Sequence, residues 1–160
     1  MSTNQNKSII LLLLAVIAGV MACNKIEVVE KNMVVPNSRW QYDFKPGFSF
    51  NISDTASYYN LFVVLRHTDA YRYNNIWLNI GTQGPADTMR YQRVELQLGN
   101  DARGWDGTGM DDIWELRKPI TRAPFKFNKA GEYQFFITQV MRENPLSHIM
   151  NVGVRIEKVH

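Results

Sequence analysis

Cysteine is almost missing from this chain: Cys23 is the only one in 160 residues. A disulfide framework is therefore excluded, and so is a zinc site built on several thiolates. Histidine is nearly as scarce. His67, His148 and His160 lie far apart, and none has a second ligand beside it at metal-binding spacing. The sequence also lacks a G-x-S-x-G elbow, an S-x-x-K pair and a glycine-rich phosphate loop after a strand. No run of one charge sign occurs and the formal net charge is only +3, which leaves nucleic-acid binding without electrostatic support. After Cys23 no segment keeps a 3.6-residue apolar period for three turns, which argues against amphipathic helices. Low-complexity tracts and internal repeats are absent too.

What is present begins at the N-terminus. Lys7 precedes residues 9–20 (IILLLLAVIAGV), an apolar run of about a dozen residues, whereas a membrane-spanning helix needs roughly 20. This fits an export signal that is removed. Val20-Met21-Ala22-Cys23 reads as a lipobox, with valine where leucine is usual. In that reading the Cys23 thiol is acylated, the chain is cut before it, and the new amino terminus is acylated as well. One acyl chain binds a membrane marginally, while two or more anchor stably. The expected organisation is a signal peptide over residues 1–22, a lipid-anchored tether over 23–38, and a single domain over 39–160. Loss of Lys7 leaves 17 basic against 15 acidic residues. The mature domain, with no further cysteine, is stabilised by packing alone.

The rest of the chain has a period of two. Residues 24–38 read as the tether, with Ile26, Val28 and Val29 able to open a first strand. Trp40, Tyr42 and Phe44 alternate with polar partners, and Lys45-Pro46-Gly47 turns the chain. Phe48, Phe50 and Ile52 alternate again. Residues 59–65 (YNLFVVL) are continuously apolar, as in a strand buried on both faces. Ile76, Leu78 and Ile80, then Val94, Leu96 and Leu98, predict two more strands. Residues 104–112 (GWDGTGMDD) read as a glycine-rich loop. Trp114 and Leu116 follow, then Phe125 and Phe127, then a strand on Tyr133, Phe135 and Ile137, and a last one on Val152, Val154 and Ile156. Eight to ten strands in this length predict an all-β fold, a two-sheet antiparallel β-sandwich of jelly-roll or immunoglobulin-like type.

Candidate functional residues are few. Asp106, Asp111 and Asp112 ride on a glycine-permitted curve that would suit calcium. The ligand order of an EF-hand is missing, and a plain turn, with glycines at positive φ and aspartates bonding the backbone, accounts for the same residues. Tyr71, Tyr73 and Trp105 sit in polar, turn-like stretches. They either cap the core or present a partner- or sugar-binding platform. Asp54-Thr55-Ala56 and Asp87-Thr88-Met89 match a D-(S/T)-apolar pattern of bacterial O-glycosylation, with Thr55 and Thr88 as acceptors.

Several stretches, taken in order, carry a resemblance. They are Pro36-Asn37-x-x-Trp40, Tyr59-Asn60-Leu61-Phe62 with Leu65-Arg66, and Tyr71-x-Tyr73-x-Asn75. Gly104-Trp105-x-Gly107-x-Gly109, Ala130-Gly131-Glu132-Tyr133, Gln139-x-Met141-Arg142 and Val152-Gly153-Val154-Arg155-Ile156-Glu157-Lys158 complete the set. Together they span the mature domain and resemble the GldH gliding-motility lipoprotein family. The resemblance implies a lipid-anchored, non-enzymatic cell-envelope protein facing the periplasm, tied to machinery that exports or moves surface adhesins. It brings no cofactor, and of functional positions only Cys23 carries over. The expected role is an adaptor in a motility or secretion assembly, with envelope proteins of that assembly and the membrane as partners. A carbohydrate-binding surface lipoprotein is the alternative.

Overall fold

A computed structural model describes residues 27–159; the signal segment and Cys23 lie outside them. Among the described residues there are thirteen strands, every pairing between them antiparallel. In chain order they are β1 (Val28–Val34), β2 (Arg39–Trp40), β3 (Gly47–Ile52), β4 (Tyr58–Thr68), β5 (Asn75–Gln83), β6 (Arg90–Gln97) and β7 (Gly99–Asn100). There follow β8 (Gly104–Trp105), β9 (Thr108–Met110), β10 (Ile113–Pro119), β11 (Gly131–Gln139), β12 (Leu146–Ser147) and β13 (Ile149–Val159). A five-stranded sheet runs β1-β13-β4-β10-β9 and a four-stranded sheet runs β3-β11-β5-β6; β12-β2 and β7-β8 form two small ladders. The all-β expectation holds.

One core joins the two larger sheets. Leu61, Val63 and Leu65 of β4 and Val152, Val154 and Ile156 of β13 belong to the same buried cluster as Ile76, Leu78 and Ile80 of β5 and Phe135 and Ile137 of β11. The core residues just named are every second one along their strands, because successive side chains leave a strand on opposite faces. The apolar run of β4 predicts burial on both faces, but its outer face is buried only at the centre, with Asn60 and Phe62 half-buried and Arg66 exposed. Its Val64, 2% exposed, lies on the outer side opposite Gly153 of β13 and Arg117 of β10.

Several local expectations change. Tyr42 and Phe44 do not continue a strand from Trp40. The Phe44 N–H donates to the Gln41 carbonyl at 3.2 Å and the Trp40 indole donates to the Phe44 carbonyl at 2.9 Å. Those bonds close a turn around the fully buried indole. The segment over 104–112 is not loop throughout but contains β8 and β9, with β9 pairing β10. Gly109 there lets the Trp114 ring lie on the backbone, since a Cβ would stand 2.8 Å from it. Phe125 and Phe127 form no strand; Phe125 makes one bridge to Tyr59 and the two rings stack edge-on at 4.8 Å. Val28–Val34, within the segment 23–38 read as a tether, forms the first strand that Val28 and Val29 allowed, a seven-residue edge strand paired along its whole length to β13.

The register gathers the chain connections at two ends. Residues 53–57, 84–89 and 120–130 meet at one end, beside the start of β1. There Lys129 pairs with Asp87 at 2.8 Å and Lys158 with Asp54 at 2.8 Å. Residues 69–74, 98–112 and 140–148 lie at the other.

Candidate binding surfaces

The three aromatics chosen from the sequence do converge, around a histidine. The Trp105 ring stands edge-on 4.5 Å from His67, Tyr71 lies 5.5 Å from His67, and Tyr73 is 5.7 Å from Tyr71. Tyr71 is only 3% exposed and its hydroxyl donates to the Asn75 carbonyl at 3.0 Å. Tyr73 and Trp105 are half-buried, and the Tyr73 hydroxyl donates to Glu143 at 2.8 Å. The hydroxyls are committed to internal partners and the Tyr71 ring to the core, so this cluster closes the end of the fold.

His67 is the odd member. It is fully buried on the inward face of β4, with Nδ1 2.8 Å from the Thr68 carbonyl. That contact assigns the proton to Nδ1 and leaves Nε2 a bare acceptor, buried with no partner. Burial pushes its pKa below the usual imidazole value. The folded state thus refuses a proton that the unfolded chain accepts near pH 6.5. The sign follows: this contribution to stability is complete above about pH 6.5 and is lost as pH falls below it, until the folded pKa is passed. Urea midpoints should therefore drop between about pH 7 and about pH 5. A His67→Phe chain should show a flatter profile over that range; an equally steep profile would place the titrating group elsewhere.

The remaining sequence candidates scatter. Thr55 is half-buried and Thr88 exposed, both in the connections at the β1 end. Their neighbouring aspartates hold those connections together. Lys158 and Ser57 keep Asp54 well below the ordinary carboxylate range, and Lys129 does the same for Asp87. Asp106 binds Lys118 at 2.6 Å, Gly107 adopts φ of +92° and Asp111 φ of +56°. Among the described residues no group of three or more His, Cys, Asp and Glu converges as a metal site.

The outer faces of the two sheets differ sharply. On the five-stranded sheet Glu30 bridges Arg117 at 3.2 Å and Arg155 at 3.1 Å, Arg155 also meets Glu157, and Glu115 joins Arg66 and Arg117 at 2.7 Å each. The four-stranded sheet carries aromatics instead. Register lines up Gly47, Phe136, Gly81 and Tyr91 in one row across β3, β11, β5 and β6. A Cβ on Gly47 would stand 2.7 Å from the Phe136 ring, and one on Gly81 2.9 Å from the Tyr91 ring. The two glycines thus let the rings lie down on neighbouring strands. The next row is Thr138, Asn79 and Arg93, and beyond it Trp77 has the Arg93 guanidinium 4.8 Å over its ring.

A groove of about 740 Å³ runs over Phe136, Tyr91, Thr138 and Asn79 between Tyr42 and Lys45, and continues past Val140 and Met141 into one of about 440 Å³ beside Trp77 and Arg142. Tyr91 is 67% and Tyr42 42% exposed. Sequence reading missed this surface because it sought aromatics outside alternation, whereas Trp77, Phe136 and Tyr91 sit within it. The available signal was an aromatic at outward positions of strands whose inward positions are already apolar.

The molecule is thus an all-β domain with one core, one charge-laced outer face and one aromatic outer face. Its sequence matches the GldH lipoprotein family over residues 27–156. It is similar to the gliding motility lipoprotein GldH of Flavobacterium johnsoniae, 32% identical over 156 residues that cover 93% of this chain and 94% of that one. It is also similar to the gliding motility lipoprotein GldH homolog of Christiangramia forsetii, 30% identical over 126 residues, 74% of this chain and 77% of the relative. The VP2 subviral particle of infectious bursal disease virus overlaps 86% of this chain at 14% identity and a TM-score of 0.34, and the chain spans 34% of that protein. The chain belongs to the GldH lipoprotein family.

Proposed function

We propose that this protein is a cell-envelope lipoprotein, held to a membrane through lipid on Cys23, that works as a non-enzymatic adaptor in a gliding-motility or adhesin-secretion assembly. The observation that carries the reading is its alignment, over almost the full length of both chains, with a protein named for gliding motility. The signal peptide over 1–22 is part of the same proposal. So is the periplasm-facing placement. The jelly-roll form of the fold is supported by strand order: with the short strands set aside, β1-β13-β4-β10 faces β3-β11-β5-β6, the interleaving of two Greek keys.

The anchor would also orient the domain. Five residue steps separate Cys23 from Val28, a reach of at most about 18 Å even when fully extended. The end bearing Thr55 and Thr88 would then face the bilayer, while the Tyr71, Tyr73 and Trp105 end and both outer sheet faces stay open to partners. Confinement to one membrane raises effective concentration, so weak contacts suffice.

Crosslinking and affinity purification from envelopes, beside a Cys23→Ala form, tests the adaptor role. Recovery of motility or secretion components with the anchored form alone is the expected result. Recovery of none from either form would remove the adaptor role.

A further inference from the structure

We infer that the groove on the outer face of the four-stranded sheet binds an anionic saccharide, a glycan bearing uronic acid or similar acidic units. This goes beyond the adaptor role and rests on the geometry and charge of one sheet face.

Phe136 and Tyr91 lie in one row on strands two apart, about 9.6 Å in sheet spacing. Gly81 between them and Gly47 beside them keep both rings low. Two broad apolar plates separated by a strand suit the C–H faces of alternate rings of a saccharide chain, a disaccharide apart. One row along, Asn79 offers its side-chain amide, and Thr138, whose hydroxyl donates to the Asn79 carbonyl at 3.3 Å, can still accept from a sugar hydroxyl. The pattern is stacking beside hydrogen bonding, on rigid strands and not on loops.

Charge selects among saccharides. Lys45, Arg93 and Arg142 line the two connected stretches; the nearest carboxylates, Glu95 and Glu143, stand beside the second stretch and accept hydrogen bonds from Asn75 and Tyr73. None of the three cations makes an ion pair among the described residues, whereas the cations of the opposite sheet face are paired. Unpaired cations beside exposed rings complement an acidic ligand.

The floor of the groove argues for sugar over peptide. β11 pairs β3 on one side and β5 on the other, and β5 also pairs β6, so the backbone below Phe136 and between the two rings is engaged in the ladder, while β6 under Tyr91 is an edge strand. An extended peptide gains affinity by adding to a free strand edge, and one added at β6 would run beyond Tyr91, two strands from Asn79 and three from Phe136, leaving most of the groove uncovered. A saccharide brings hydroxyls that side chains alone can meet.

Affinity electrophoresis of the full lipoprotein in detergent tests the inference, with alginate, dextran or poly-glutamate in the gel. Retardation by alginate and not by dextran or poly-glutamate is expected. Tyr91→Ala, at a position already 67% exposed, should weaken alginate binding about tenfold with an unchanged melting temperature. Lys45→Ala should weaken it as well, and Arg122→Ala, at the opposite end of the domain, should leave it intact. Absence of retardation would overturn the inference. So would equal retardation by poly-glutamate, which points to an acidic peptide, or binding untouched by Tyr91→Ala, which points to general attraction between a cationic protein and a polyanion.

Discussion

Phe135→Ala is expected to cost about 3–5 kcal/mol of stability, while Phe136→Ala, one residue on, is expected to cost about 1 kcal/mol or less. Phe135 is fully buried in the centre of β11 and meets Phe50 edge-on at 5.7 Å. Removing its ring leaves a cavity that strands paired on both sides cannot collapse around. Domains of this size have only about 5–15 kcal/mol in hand, so the midpoint of thermal unfolding should fall by roughly 10–20 °C. Phe136 points the other way, into the groove, and its loss exposes backbone that Gly47 already leaves bare. Thermal and urea unfolding of the two variants, measured side by side, therefore reads the register of β11 directly. A one-residue slip exchanges every inward and outward side chain. Equal costs, or a larger cost at Phe136, would mean that β11 is not set in the sheet as described.

Cys23→Ala should abolish lipid attachment completely. Acylation needs the thiol, and the chain has no other cysteine to substitute for it. Wild-type protein from cells grown with labelled palmitate should carry label, and its mature mass should begin at Cys23 with acyl groups added; the variant should carry none. The effect is all-or-none because no second thiol is available to take the acyl group. Label retained by the alanine form would refute Cys23 as the attachment site.

The aromatic surface is where fold and function part company most clearly. Tyr71, Tyr73 and Trp105 drew attention because they break alternation, yet irregular spacing marked residues that turn back to close the core. Phe136, Trp77 and Tyr91 obey alternation and so passed as ordinary strand residues. Their importance depends on what lies across the sheet. Only the pairing of β11 with β3 and β5, and of β5 with β6, sets Gly47 beside Phe136 and Gly81 between the two rings. His67 shows the same dependence: on β4 it occupies an inward position that local sequence marks as apolar, and its unpartnered nitrogen is visible only once Trp105 and Tyr71 pack against it.

Read from the sequence alone, this protein was all-β, without disulfides, built on β4, β5, β11 and β13 much where the apolar alternation put them. Those properties are local: a period of two and a single cysteine can be read without knowing any neighbour. Turn formation around Trp40, the pairing of Val28–Val34 with β13, the closing of the aromatic box on His67 and the assembly of the groove were decided by tertiary structure. Each joins residues far apart in the chain, as Val28 and Glu157 are. Whether an outward aromatic is solvated, packed or part of a binding face is set by the strand beside it.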